Sequence, residues 1–190
     1  MATTKHTFIN IFGSQYGTPE DPVNLEKIEI PIIQRDYAQG RTDADTERVR
    51  SRFLKSLHDA ITGDAITLDF VYGDINDKGI MTPLDGQQRL TTLFLLHWYA
   101  AKKEHVPEEE QAFLERFSYE TRFSARYFCN ELTKFTPTFK GKLSEEIINQ
   151  AWFPLDWNND PTIASMLVMI DAIAKQFNET ESIWEALAGG

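Results

Sequence analysis

The stretch Asp85-Gly86-Gln87-Gln88-Arg89-Leu90-Thr91-Thr92-Leu93, entered through Thr82-Pro83-Leu84, decides the fold. It reads as a strand end, a glycine turn and a helix start. In the helix that follows, Leu90, Leu93, Phe94, Trp98 and Ala101 fall at helical spacing. Leu95, Leu96 and Tyr99 widen the apolar face until little is left for water, which predicts a central, buried helix. Asp85 and Gln88 have the spacing of a capping box, with Asp85 as N-cap and Gln88 reaching back. Beyond that cap the first turn holds Arg89 and no carboxylate. A cation at the positive end of a helix costs roughly 0.3–1 kcal/mol. An anion meeting both the guanidinium and the free amides would offset that, and a helix N-terminus after a glycine turn suits phosphate or carboxylate. A plain cap with Arg89 paired to a structural carboxylate fits the same residues.

Working outward, the residues before this stretch read as a small α/β unit. Phe8, Ile9, Ile11 and Phe12 form an apolar helical turn, and Gly13 to Asn24 a turn-rich loop. Lys27 to Tyr37 alternates like a strand, with Pro31 marking an edge strand or a strand start. Thr42 or Asp43 caps a helix with the stripe Val49, Phe53, Leu57 and Ile61, closed by Gly63. Arg48, Arg50, Arg52 and Lys55 read as its solvated face. Thr67 to Ile75 and Ile80 to Leu84 pair as a hairpin around Asn76-Asp77-Lys78-Gly79 and feed the Asp85 turn.

After Glu104 the strand signals fade. Helices are expected from Pro107 to about Phe117, from Ser124 with the stripe Tyr127, Phe128, Leu132 and Phe135, and from a Ser144 cap through Ile147, Ile148 and Ala151. Asp160 and Pro161 open a further helix as N-cap and first residue, with Ile163, Met166, Leu167, Ile170, Ile173, Ala174 and Phe177 on one face. A last helix carries Ile183, Trp184 and Leu187. The expected class is α+β: a small mixed sheet in an α/β unit over 1–104, then a helical subdomain over 105–190 or the start of a longer helical region.

The totals narrow the function. A chain of 190 residues, 42% apolar and 25% charged, can build a real core. The net charge of −10 argues against direct DNA binding, which needs clustered Lys and Arg. The single Cys129 and the lack of a signal-peptide pattern point to the cytoplasm, and no segment is apolar enough over sufficient length to span a membrane. There is no Gly-Lys-Ser/Thr phosphate loop and no cysteine pair for zinc. His97, inside the apolar helix, reads as a core histidine.

What carries chemistry is a pair of Gln-Arg corners, Gln34-Arg35 and Gln87-Gln88-Arg89. Arginine presents a planar fork that matches phosphate oxygens. Asp85 could hold Mg²⁺, which at nucleotide sites takes one or two carboxylates plus phosphate. Its alternative is the N-cap. Arg35 could instead pair with Asp36 or another acid, and Tyr37 could stack on a base or pack half-buried beside its strand.

At these residues a resemblance becomes specific. Ile30-Pro31-Ile32-Ile33-Gln34-Arg35-Asp36-Tyr37 resembles the IPxxQRxY opening of the GmrSD-type N-terminal domain, and Asp85 to Leu93 resembles that family's DGQQRLTTL signature. Phe70-Val71-Tyr72-Gly73-Asp74-Ile75 is similar to its fLGsI strand, with Tyr72 where Leu is usual. Tyr119 to Ser124 and Asp160 to Ile163 also resemble stretches of family members. Where the family usually has a Trp after its first motif, this chain has Ala38-Gln39-Gly40-Arg41.

The resemblance implies a ParB/sulfiredoxin-like fold that binds a nucleoside triphosphate, with phosphates at the helix after the glycine turn. It implies a role in bacterial or phage-directed defence by restriction of modified DNA, with the nuclease in a separate His-Asn-His-type domain or subunit, in cis or in trans, and DNA contacted through other regions. On this reading Asp85, Gln88 and Arg89 are catalytic, with Mg²⁺ on Asp85. Gln34, Arg35, Tyr37, Gly86, Gln87, Thr91 and Thr92 bind nucleotide. The alternative is a non-catalytic nucleotide sensor or protein-interaction module, with DNA binding or nicking by this segment a third possibility.

Overall fold

The computed structural model describes residues 5–31 and 36–189. The expected continuation of the strand through Ile32 and Ile33, and the Gln34-Arg35 corner itself, lie outside the described residues. Among those described, strands β1 (Gln15–Thr18) and β2 (Asp21–Asn24) form an antiparallel hairpin. This is a departure from the turn-rich loop expected there. These strands are polar and mostly exposed, so they show no apolar alternation in the sequence.

The main sheet has the order β4-β5-β3-β6. Strand β3 (Lys27–Ile30) lies inside it, parallel to β5 (Ile80–Asp85) and to β6 (Phe117–Tyr119), while β4 (Tyr72–Ile75) is antiparallel to β5. Pro31 therefore does not mark an edge strand. It falls one residue past the end of an interior strand, where its missing N–H costs the ladder nothing. Strand β6 comes from beyond Glu104 and closes the sheet on one side. Its three residues are all buried, which leaves no alternation to read. The mixed α+β class holds, with a small sheet and a largely helical second half.

Helix α1 (Ala44–Thr62) is capped by Asp43, whose carboxylate accepts from the Thr46 amide at 2.9 Å and the Thr46 hydroxyl at 2.7 Å. Its buried stripe is turned from the expected one: Val49 is 54% exposed, while Leu54 and Arg50 are buried. Arg50 is not part of a solvated face. Its Nη1 donates to the carbonyls of Gln39 (3.0 Å) and Arg41 (2.9 Å), fastening the loop before the helix. Arg48, Arg52 and Lys55 are exposed as expected.

Helix α2 (Gln87–Lys103) is the core of the molecule. Phe94, Leu95, Leu96, Trp98, Ala100 and Ala101 are fully buried, and one apolar cluster runs from Phe8 through the sheet to Trp184, on both sides of residue 104. Each such large side chain contributes about 1.5–3 kcal/mol when buried. Around α2 lie α3 (Glu108–Gln111) with the 3-10 turn Ala112–Arg116, α4 (Phe123–Lys134), α5 (Leu143–Ile148), a 3-10 turn over Leu155–Asn159, α6 (Pro161–Phe177) and α7 (Ile183–Gly189). The α6 start is as read: the Asp160 carboxylate accepts from the amides of Thr162 and Ile163. Two details differ. Tyr127 is exposed on α4, and Lys142, not Ser144, holds the N-cap position of α5, because the Ser144 amide donates to Asp171 instead. None of these helices is long and apolar enough to cross a membrane.

The C-terminal end of α2 holds two other helix ends. Lys103 Nζ donates to the carbonyls of Phe177 (2.7 Å), Asn178 (2.9 Å) and Thr180 (2.7 Å), meeting the negative end of α6 with a positive charge. The Glu104 carboxylate accepts from the amides of Ile183 (2.7 Å) and Trp184 (2.9 Å) at the start of α7. Replacing Lys103 by Met leaves those carbonyls without their charged donor. The expected loss is about 1–2 kcal/mol in denaturant unfolding.

His97 lies in this core beside Phe8, Phe113 and Trp184. Its Nδ1 is 2.7 Å from the Leu93 carbonyl, which can only accept, so Nδ1 carries the proton. Among the described residues its buried Nε2 has no partner. Burial lowers its pKa to about 4 from the ordinary 6.5. The unfolded chain then binds a proton that the folded chain refuses, so stability falls as pH drops from about 6.5 towards 4, by up to about 3 kcal/mol. In urea titrations across that window, His97→Phe should remove most of this acid-side loss, whereas an unchanged pH profile would assign it to other groups.

Candidate functional site

Strand β5 ends at Asp85 and α2 begins at Gln87. The residue between them, Gly86, is the N-cap, with φ 86° and ψ 4°. Asp85 is thus not the cap, and Gln88 does not reach back to it. Asp85 still belongs to the ladder, opposite Tyr72. The left-handed turn favours glycine, and a Cβ there would lie 2.7 Å from Val71 Cγ2. Gly86 has no side chain to cap with, the first turn holds no carboxylate, and among the described residues no side chain accepts from its amides. Among those residues the α2 tip thus has no protein anion to meet its amides, an arrangement that favours an external one.

Arg89 stands beside this tip. Its Nη2 donates to the Phe70 carbonyl at 2.6 Å, and its guanidinium lies 3.6 Å from each of Asp69 and Asp85. Both carboxylates are exposed, so these long contacts contribute little. Among the described residues the buried Nε has no partner. Asp69 is a residue the sequence reading missed. It lies in a stretch read as strand that is irregular in the structure, so its approach to Arg89 comes from loop geometry.

The two glutamines divide their tasks. Gln87 Nε2 donates to the Pro83 carbonyl at 2.9 Å. Gln88 uses both ends of its amide on backbone: Oε1 accepts from Ala38 N (2.8 Å) and Nε2 donates to the Asp36 carbonyl (3.1 Å). It mimics one rung of a strand ladder and holds the loop that follows Gln34-Arg35 against the first turn of α2. Gln34 and Arg35 themselves lie outside the described residues.

Behind this clamp is a buried polar network. The Thr92 hydroxyl contacts the Gln88 carbonyl, the Gln39 side chain and, at 2.8 Å, the Tyr37 hydroxyl. Thr91 meets the Gln87 carbonyl and the Tyr119 hydroxyl, each at 3.0 Å. Tyr37 is only 2% exposed, so its ring is not free to stack on a base. It packs as the alternative reading had it, but more deeply, and burial pushes its phenol well up. Asp36 pairs with Arg122, whose Nη1 donates to Thr162 Oγ1 at 3.0 Å, and the Tyr37 amide donates to the same hydroxyl. Gln39, Arg122 and Thr162 are thus structural partners of the site that sequence reasoning left without roles, and Asp36, read there as a possible partner of Arg35, pairs with Arg122. Gly40 presses on α6 so closely that a Cβ would sit 1.7 Å from the Ser165 carbonyl oxygen.

Among the described residues no three His, Cys, Asp or Glu side chains cluster as a metal site. The best-defined surface clefts lie at the other end of α2, around Lys103, His105 and Thr180 and around Lys102, Gln111 and Thr133. They are open and border the helix-end contacts of Lys103 and Glu104. At the α2 tip Gly86 is buried and Gln87, Gln88 and Arg89 are partly exposed.

Residues 20–186 match the family described as GmrSD restriction endonuclease, N-terminal domain. No curated protein and no solved structure matches the chain. The matched span takes in the sheet, the glycine-turned tip of α2 and the helices wrapped around it, so the chain belongs to the GmrSD restriction endonuclease N-terminal domain family, and with it to a restriction system that has a nuclease domain as partner.

Proposed function

We propose that this chain binds and hydrolyses a nucleoside triphosphate and thereby regulates the nuclease partner, in cis or in trans, with DNA contacted through other regions. The observation that supports it best is the α2 tip, which has no side-chain cap among the described residues, with Arg89 beside it, whose guanidinium reaches two exposed carboxylates at 3.6 Å. On this reading the amides after Gly86 and the Arg89 guanidinium hold phosphate oxygens. Asp85, with Asp69 near it, supplies carboxylate to a Mg²⁺ ion that also takes oxygens from the phosphates. With phosphate on Arg89, the Asp69 and Asp85 carboxylates would be free to hold such an ion.

Gln34 and Arg35 precede the loop that Gln88 holds at the tip, and the proposal has them complete the phosphate shell. Gln88 then acts as a positioning residue, since both ends of its amide are used on the Asp36–Ala38 backbone. Thr91 and Thr92, hydrogen-bonded below the tip, and Tyr37, bonded to Thr92, support the site from behind. In the reaction water attacks the γ-phosphorus, the bond to the β–γ bridging oxygen breaks, and nucleoside diphosphate, inorganic phosphate and a proton are released. Arg89 neutralises charge that shifts onto the leaving oxygen, and Mg²⁺, which Asp85 and Asp69 would hold, would supply further positive charge. The same fully engaged Gln88 favours a second reading, a sensor that binds nucleotide without turning it over.

Phosphate release and thermal shift with ATP or GTP and Mg²⁺ separate these readings. Arg89→Ala is expected to reduce turnover by at least 100-fold, and Asp85→Ala to reduce both turnover and Mg²⁺ dependence. Chelating the metal should stop release in the unaltered chain. Stabilisation by nucleotide with no release would replace hydrolysis by sensing. Equal rates in all three proteins would reject the assigned roles.

A further inference from the structure

The segment just before β4 carries two aromatic rings that the core does not take. Phe70 is 71% exposed and Tyr72 is 60% exposed, while Val71 between them packs inward against Gly86. Tyr72 opens β4 and Phe70 stands two residues before it in the irregular run that leads into the strand, so both exposed rings lie at one end of β4. Leu84, 62% exposed, lies next to them: Tyr72 pairs with Asp85 and Gly73 with Pro83, so Leu84 is the extra residue bulged out of β5. An apolar group left on water is ordinary when single. Three together at one corner, two of them aromatic, call for an occupant.

The corner is fastened to the α2 tip. The Phe70 carbonyl accepts from Arg89 Nη2 at 2.6 Å, Val71 abuts Gly86, and Tyr72 stands opposite Asp85 in the ladder. Directly opposed residues have Cβ atoms about 4.5–5.5 Å apart. The rings therefore begin where the guanidinium and its two carboxylates end. We infer that Phe70 and Tyr72, flanked by Leu84, form the stacking platform for the base of the nucleotide whose phosphates sit at the α2 tip. This rests on the nucleotide-binding reading above and adds to it the residues that meet the base, a task that buried Tyr37 does not perform. Every base has a π face, so stacking gives affinity with weak base preference. The platform thus fits a domain that accepts several nucleoside triphosphates. Other occupants of an exposed apolar corner, such as a partner protein, would not make nucleotide affinity depend on these rings.

The experiment compares ATP, GTP, CTP and UTP with inorganic tripolyphosphate, each with Mg²⁺, by calorimetry on the whole chain. The unaltered chain should bind all four nucleotides more tightly than tripolyphosphate. Phe70→Ala and Tyr72→Ala should each weaken nucleotide binding about tenfold and leave tripolyphosphate affinity unchanged. Phe70→Leu, which keeps apolar surface without a π face, should behave like Phe70→Ala. Since both side chains are exposed, unfolding midpoints should not move, and a large drop in them would count against the platform as a surface feature. Nucleotide affinity that survives both alanine variants while Arg89→Ala abolishes it overturns the platform and leaves the phosphate site standing. Failure of the unaltered chain to bind either tripolyphosphate or nucleotide overturns both.

Discussion

A helix that is apolar on nearly every face has to be covered on nearly every face, and α2 imposes that condition on the whole chain. Strand β6 meets one side of it through Phe117 and Tyr119, and α6 and α7 cover others, so the chain folds around it with a single core that ignores the change from α/β to helical sequence at Glu104. Such a helix still has two ends whose backbone groups cannot pair within it. The molecule treats those ends in opposite ways. At the C-terminal end, Lys103 and Glu104 close the ends of α6 and α7, so three helices meet in one set of charged hydrogen bonds. At the N-terminal end no side chain among the described residues closes the amides: glycine holds the cap position, and the first turn brings a cation in place of an acid.

The contrast between the ends is also a contrast in rigidity. Below the open tip, Thr91 and Thr92 tie α2 to Tyr119, Tyr37 and Gln39, and Gln88 pins the Asp36–Ala38 backbone. Buried networks of this kind are costly when half satisfied, so removal of one member exposes the others to the full penalty. They also fix geometry. Such a tip can hold a phosphate only if its amides and guanidinium are already in place, since every group ordered on binding subtracts from affinity. The polar network supplies that preorganisation.

Local signals in the sequence were legible where the structure decides locally. Asp160-Pro161 and Asp43 cap the helices they were expected to cap, and the breadth of apolar residues from Leu90 to Ala101 announced the central helix. The Asp85-Gly86 step was not decidable in the same way. A capping box and a strand-end aspartate followed by a left-handed glycine share the same letters, and pairing of Asp85 with Tyr72 selects the second. Long-range partners were out of reach: Gln88 meets residues some fifty positions earlier, and Arg122 meets Asp36 and Thr162 across comparable gaps. The exposed hairpin before Leu25 and the three-residue strand β6 carry no periodicity, the first because neither face is buried and the second because both are. The residues of the α2 tip stood out by type, whereas Asp69 and the exposed pair Phe70 and Tyr72 gained meaning only from their place beside Arg89.

The claim at the centre of this account is that the N-terminal tip of α2 receives an anion. Amide chemical shifts in a ¹⁵N-labelled chain titrated with Mg²⁺–ATP report on it directly. The largest changes should fall on Gly86, Gln87, Gln88 and Arg89, with smaller ones reaching Ala38 through the Gln88 clamp. Changes centred instead on His105, Thr180 and Ser182 at the far end of α2, with the tip unmoved, would contradict it.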